Sequence, residues 1–328
     1  MCLCQMHGAQ FREKNKRVDT MFLRATVVFV FSVILLSGDS FGLEFGLDEN
    51  GSIIICSDEE VTEFFGQLES NEKFRDDMAE RALDLSFWCA DKHISEIPRA
   101  IRYLKNLHRL DLAGCEVNYL PEELGELSAL QDLQLHNNPN LSTLPDSIGS
   151  LSNLEVLDCH YNGGEDFGPL EAIPATIGKL KKLRELKIGN NRVKRLPDSI
   201  CDLESLEKLQ VGNNWILELP AGLGRLKNLK KLVASLNCFK SLPVLQPGDF
   251  ASIEEIHLHN NSNLSSFPWD VSKMPFLKLL ALNCPKEYRQ KNFLIHLSVA
   301  EWMRVDGHCY SGPREDDVFM SDAWCTIS

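Results

Sequence analysis

No stretch of the sequence reads as a membrane-spanning helix. The apolar run Ala25–Leu36 covers only 12 residues, where a span needs about 20. A basic surplus is also missing. Thirty-four Lys and Arg stand against 47 Asp and Glu, a net charge of −13, which argues against a general nucleic-acid binder. There is no Walker-A glycine loop, no dinucleotide-binding glycine fingerprint, no kinase motif set, no HExxH and no GxSxG. The local signatures of phosphate, cofactor, zinc-protease and hydrolase chemistry are therefore lacking. Apolar material is sufficient for a core, at 44% of the chain against 25% charged. Leucine stands out: 38 of its 49 copies fall between Leu104 and Leu282, a crowding that calls for a repeat.

Three columns establish that repeat. Hydrophobic-Pro pairs occur at Ile97-Pro98, Leu120-Pro121, Leu144-Pro145, Ile173-Pro174, Leu196-Pro197, Leu219-Pro220, Leu242-Pro243 and Phe267-Pro268, spaced by 23, 24, 29, 23, 23, 23 and 25 residues. A second column reads Cys115, Asn138, Asn162, Asn191, Asn214, Asn237, Asn261 and Cys284. A third opens each unit with Leu107, Leu130, Leu154, Leu183, Leu206, Leu229, Ile253 and Leu277. A length of 328 residues admits two domains or one elongated array. The periodicity selects the array.

The unit at Leu183, LRELKIGNNRVKRLPDSICDLES, resembles the leucine-rich repeat pattern LxxLxLxxNxLxxLPxxIxxLxx, and the resemblance covers residues 83–284. It implies an α/β solenoid of eight to nine repeats, a horseshoe with a parallel concave sheet. Leu183, Leu186 and Ile188 would point inward from a short strand. Asn191 would satisfy backbone groups where the chain leaves the strand. Leu196 would close the core, and Pro197 would set φ at the start of an outer helical or 3₁₀ segment. The LPxxIxxLxxL outer segment is similar to that of plant intracellular Ras-group repeat proteins and of animal Ras-signalling scaffold repeat proteins. Their cytosolic scaffold role is one implied function.

The flanks divide the chain further. Residues 1–42 have the proportions of a secretory signal. Arg12, Lys14, Lys16, Arg17 and Arg24 precede the apolar run and small residues follow it, with cleavage expected after Ser40 or Gly42 and Met21 as an alternative start. Residues 43–82 read as an acidic helical N-terminal cap, opened by the capping box Ser57-Asp58-Glu59-Glu60. Residues 285–328 read as a C-terminal cap and loose tail, with one helix suggested by Phe293, Leu294, Leu297 and Trp302. The 29-residue unit carries an insertion within Gly163–Ala172. It is either a tolerated surface loop or a binding loop presenting Asp166 and Phe167.

Variable strand positions project from the concave face. One column reads Asp111, Gln134, Asp158, Lys187, Gln210, Val233 and His257, flanked by Arg109, Asp132, Arg184, Lys208, Lys231 and Glu255. This heterogeneous polar surface suits recognition of a protein or peptide better than a uniform lattice. Residues 43–169 sum to −18 and residues 170–240 to +7. The central repeats therefore either steer an acidic partner or carry a solvated outer face. His136 and His160 share a column on adjacent strands, near Asp158. They read first as contact positions, with a metal or pH-sensitive site as the lesser alternative, and no metal or other cofactor is assigned. Cys159 alternates into the core, which excludes a Cys–His pair with His160.

Cys115, Cys159 and Cys284 sit in core columns, and Cys56 with Cys89 or Cys284 with Cys309 are candidate cap disulfides in an oxidising compartment. Sequons occur at Asn50, Asn140, Asn260 and Asn263, which are candidate glycosylation sites. Against secretion stands the final tetrapeptide Cys325-Thr326-Ile327-Ser328, a match to the prenylation pattern. The expectation is a non-catalytic module, secreted or lumenal, that binds a protein or peptide through its concave face. No nucleic acid and no membrane span enter that reading. The alternative is a cytosolic small-GTPase signalling scaffold, prenylated at Cys325.

Overall fold

A computed structural model describes residues 45, 47–55, 57–87, 94–161, 168–264, 266–283 and 324–327. Residues 1–42, Cys56, Cys89, Asp166, Phe167, Cys284, Cys309 and the expected C-terminal helix lie outside the described residues. The described elements form one sheet of eleven strands whose spatial order follows the chain.

The N-terminal cap opens with β1 (Ser52–Ile55), α1 (Asp58–Ser70) and α2 (Glu72–Arg81). The repeat strands follow as β2 (Asp84–Phe87), β3 (Arg109–Asp111), β4 (Asp132–Gln134), β5 (Val156–Asp158) and β6 (Glu185–Lys187). They continue as β7 (Lys208–Gln210), β8 (Lys231–Val233), β9 (Glu255–His257) and β10 (Leu279–Asn283). β11 (Trp324–Ile327) pairs antiparallel with β10, while β1 to β10 are parallel throughout.

Each three-residue strand is built around one inward residue. Leu110, Leu133, Leu157, Leu186, Leu209, Leu232 and Ile256 are fully buried and stand in register across the sheet. On the opposite side the outer segments are 3₁₀, at Arg99–Tyr103, Glu122–Glu126, Asp146–Ser150, Ala175–Lys179 and Asp198–Asp202. Each begins directly after a proline whose φ lies between −62° and −71°, the value the pyrrolidine ring imposes. A five-residue stretch held between that proline and the next buried leucine is too short to nucleate an α-helix, so the tighter 3₁₀ turn wins. Strands stack about 4.8 Å apart and the outer segments are bulkier, so the strand face is the concave one.

Glycine sets the spacing of the outer row. A Cβ added at Gly125, Gly149 or Gly178 would lie 2.6, 2.4 or 2.5 Å from a carbonyl oxygen of the following repeat. Between the two rows runs the asparagine ladder. Asn214 is buried; its Nδ2 donates to the Ile188 and Val211 carbonyls at 2.9 and 3.1 Å, and its Oδ1 accepts from the Val193 amide at 3.0 Å. Asn138, Asn237 and Asn261 repeat the pattern. Asn191 is the exception. Its Nδ2 is engaged, but its Oδ1 is buried with no donor among the described residues, because the repeat that would supply the amide is the one carrying the insertion.

The cap differs from a purely helical one. β1 adds a parallel strand to β2, and Ile53 and Ile55 face inward. Ser57 caps α1 by accepting from the Glu60 amide at 3.1 Å, as the capping box implies. Phe64 is fully buried, with Phe45, Phe65 and Phe74 packed edge-on at 5.2, 5.3 and 5.8 Å.

Candidate functional site

Strand register turns the sequence columns into physical rows. Asp84, Arg109, Asp132, Val156, Glu185, Lys208, Lys231 and Glu255 form one row across β2 to β9, and Asp111, Gln134, Asp158, Lys187, Gln210, Val233 and His257 form the next. Arg184 lies just before β6, half-exposed beside the strands.

Charges on neighbouring strands neutralise one another. Arg109 reaches Asp132 at 2.5 Å, Asp111 at 2.9 Å and Asp84 at 3.9 Å. Lys187 reaches Asp158 at 3.2 Å and Glu185 at 3.4 Å. Lys208 lies 3.7 Å from Glu185, and Lys231 pairs with Glu255, which also meets His257 at 3.4 Å. Arg184 binds Glu207 at 2.9 Å, and Lys230 binds the same carboxylate at 2.7 Å. The +7 surplus of the central repeats is therefore not a bare cationic face at these strands. Burial works against the charge on Arg109, but Asp111, Asp132 and Asp84 outweigh it and hold the guanidinium pKa up. For Lys187, too, burial is outweighed by Asp158 and Glu185, so its pKa is raised.

Three predicted contact residues converge on the acidic side of this boundary. The His136 and His160 rings stack with centroids 5.1 Å apart and an interplanar angle of 15°. His160 Nδ1 meets Asp158 Oδ1 in a short hydrogen bond, and Lys187 Nζ holds Asp158 Oδ2. Donor atoms of His136, Asp158 and His160 all lie within 4.8 Å of one another. Burial would raise the Asp158 pKa, but hydrogen bonds from His160 and the charge of Lys187 hold it below the ordinary value. Burial pushes the His136 pKa down, against the attraction of Asp158. Among the described residues, His136 Nδ1 is buried without a hydrogen-bond partner. Cys159 is fully buried and burial pushes its thiol up, so it is no nucleophile.

The remaining expected residues scatter. Asn50, Asn140 and Asn263 are exposed, whereas Asn260 is half-buried. Cys325 stands opposite Leu282 in the β10–β11 ladder. Sequence reasoning missed a second surface on the lateral edge beyond the asparagine ladder. There Trp215 and Leu217 are 38% and 46% exposed, and Arg192 and Lys194 each lie 5.9 Å from the Trp215 ring centre. Their signal was an aromatic and a leucine at positions the repeat pattern leaves free. At the opposite, N-terminal ends of β6 to β8, a shallow open depression is lined by Arg184, Ser205, Glu207, Asn228 and Lys230, unlike the apolar concavity of a small-molecule site.

Comparison with known proteins completes the site's context. The family model described as a leucine-rich repeat region matches residues 81–188 and 171–300. A leucine-rich repeat protein of Leptospira interrogans shares 26% identity with a TM-score of 0.46, over 65% of this chain and 57% of that one. The leucine-rich repeat ectodomain of a plant membrane receptor kinase from Arabidopsis thaliana, solved in complex with Casparian strip integrity factor 2, shares 25% identity with a TM-score of 0.48, over 59% of this chain and 23% of that one. The chain thus spans little more than half of the first and under a quarter of the second. No curated protein matches the chain. With matched segments running from residue 81 to residue 300 and the repeating strand, ladder and 3₁₀ units in place, the chain belongs to the leucine-rich repeat family.

Proposed function

We propose that the protein is a non-catalytic recognition module that binds a protein or peptide partner across its concave face. The observation that carries this reading is the open strand face itself. Its rows change residue type from repeat to repeat while the buried columns stay leucine. An extended, chemically varied surface of this kind suits an extended partner, since solenoids present such faces for binding. Arg109, Asp132, Gln134, Lys187, Lys208, Gln210 and His257 are its contact residues. Among the described residues no helix is long and apolar enough to cross a membrane.

The test is a paired substitution. Lys208→Glu with Gln210→Glu on β7 should abolish capture of a partner that the wild-type chain retains from extracellular material. Lys227→Glu, on the exposed outer side, should leave it intact. Capture that survives the β7 changes and fails with Lys227→Glu would exclude the concave face.

The secreted or lumenal placement is part of the proposal. It rests on the signal-like residues 1–42 and on exposed sequon asparagines at Asn50, Asn140 and Asn263. N-terminal sequencing of the mature protein with glycan mapping decides it. An intact N-terminus with unmodified asparagines would return the protein to the cytosolic scaffold reading.

A further inference from the structure

We propose that His136, Asp158 and His160 bind a divalent transition-metal ion of the zinc class on the strand face. Two imidazoles and one carboxylate are the donor types of three-ligand zinc sites that keep a coordination position open. Adjacent parallel strands bring these residues together. β4 and β5 pair Gln134 with Asp158, which sets His136 and His160, two residues further along each chain, side by side with rings stacked 5.1 Å apart. Their donor atoms lie within 4.8 Å of one another, so small rotations of the side chains suffice to close on one ion.

Three further observations favour an ion over a plain contact patch. His136 Nδ1 is buried and has no hydrogen-bond partner among the described residues, where a buried polar atom ordinarily has one. Lys187 occupies Asp158 Oδ2 at 3.2 Å, which orients the carboxylate while Oδ1 faces the imidazoles, the outer-shell arrangement metal ligands commonly have. The surrounding stretch, residues 43–169, carries −18, so a dication adds compensating charge. A second histidine pair provides the contrast. His257 and His259 have ring centroids 6.2 Å apart at 76° and no place in a converging three-donor group among the described residues.

The experiment is calorimetric titration of chelator-treated full-length protein with Zn²⁺, read beside the visible spectrum of the Co²⁺-loaded chain. One ion per chain is expected. His136→Ala and His160→Ala should each weaken binding at least about tenfold, since even loss of an outer-shell partner costs that much. His257→Ala should leave it unchanged. Because the cobalt spectrum is taken on the wild-type chain, it stands even if a variant fails to fold: bands of tetrahedral intensity without sulfur charge transfer support the site. No saturable binding, equal loss in His257→Ala, or a thiolate band pointing to cysteine ligands would overturn it.

Discussion

At the scale of single residues, the asparagine ladder carries the highest cost of change. Replacing Asn214 by Ala strands the Val193 amide, a buried orphan that costs roughly 1–3 kcal/mol, and leaves the Ile188 and Val211 carbonyls with one ladder donor each, from Asn191 and Asn237. Urea denaturation should show Asn214→Ala destabilised by about 3 kcal/mol. Asn191→Ala should cost about 1 kcal/mol less, because its Oδ1 already lacks a donor among the described residues; equal losses would mean the insertion does not break the ladder. The residue before the ladder position is equally constrained. Gly114, Asn137, Tyr161, Asn190, Asn213, Leu236 and Asn260 all have φ between 54° and 70°, the left-handed region that glycine and asparagine tolerate best. This explains the Asn-Asn doublets, whose second member alone was legible as a repeat column. His259 adds a pH response. Burial, with His257 close by, lowers its pKa from 6.5 to about 4. A histidine held neutral in the fold contributes its stability above pH 6.5 and loses it as pH falls toward 4. His259→Phe should flatten the melting temperature across that window, and an unchanged acid slope would rule out this histidine as the cause.

At the scale of elements, the glycine of the outer segment decides how closely repeats approach. Gly178→Ala places a Cβ 2.5 Å from the Ser199 carbonyl oxygen. That oxygen belongs to the backbone and cannot swing aside, so a loss of about 2 kcal/mol is expected, in the range of other overpacked sites. Thermal unfolding at wild-type temperature would show that neighbouring repeats part more easily than this contact implies. The repeat units themselves were readable from sequence, because Leu186, Asn191, Leu196 and Pro197 each serve a backbone need that recurs every 23 residues or so. β1 was not. Its Ser52–Ile55 segment obeys no repeat column and becomes a strand because Ile53 and Ile55 find the edge of β2. In the candidate site, the shared column of His136 and His160 was legible, since strand register follows the repeat. The ion pairs were not: Lys187 with Asp158 and Arg109 with Asp132 also share columns one repeat apart, but a shared column fixes no side-chain contact. Side-chain rotamers, which no spacing specifies, decide whether such residues meet.

At the scale of the whole molecule, each repeat leans on its neighbour, so the first one needs a cover. A chain beginning at residue 83 would bare Leu85 and Phe87, the latter stacked on Phe65 at 6.3 Å, together with the unpaired edge of β2. Light scattering should report association of that truncated chain at concentrations where the full chain stays monodisperse. A soluble truncated monomer would show that the first repeat covers itself. The cross-strand ion pairs set the terms on which anything can dock. An incoming acidic group at β6 to β9 meets cations that already hold Glu185, Glu207 or Glu255, so binding there is an exchange of counter-charges. Encounter then proceeds at the ordinary rate of about 10⁵–10⁶ M⁻¹s⁻¹, without electrostatic acceleration. Added salt loosens the internal pairs along with the external ones, leaving an affinity that changes little with ionic strength. Discrimination falls to shape and to the cost of stripping water from each displaced carboxylate.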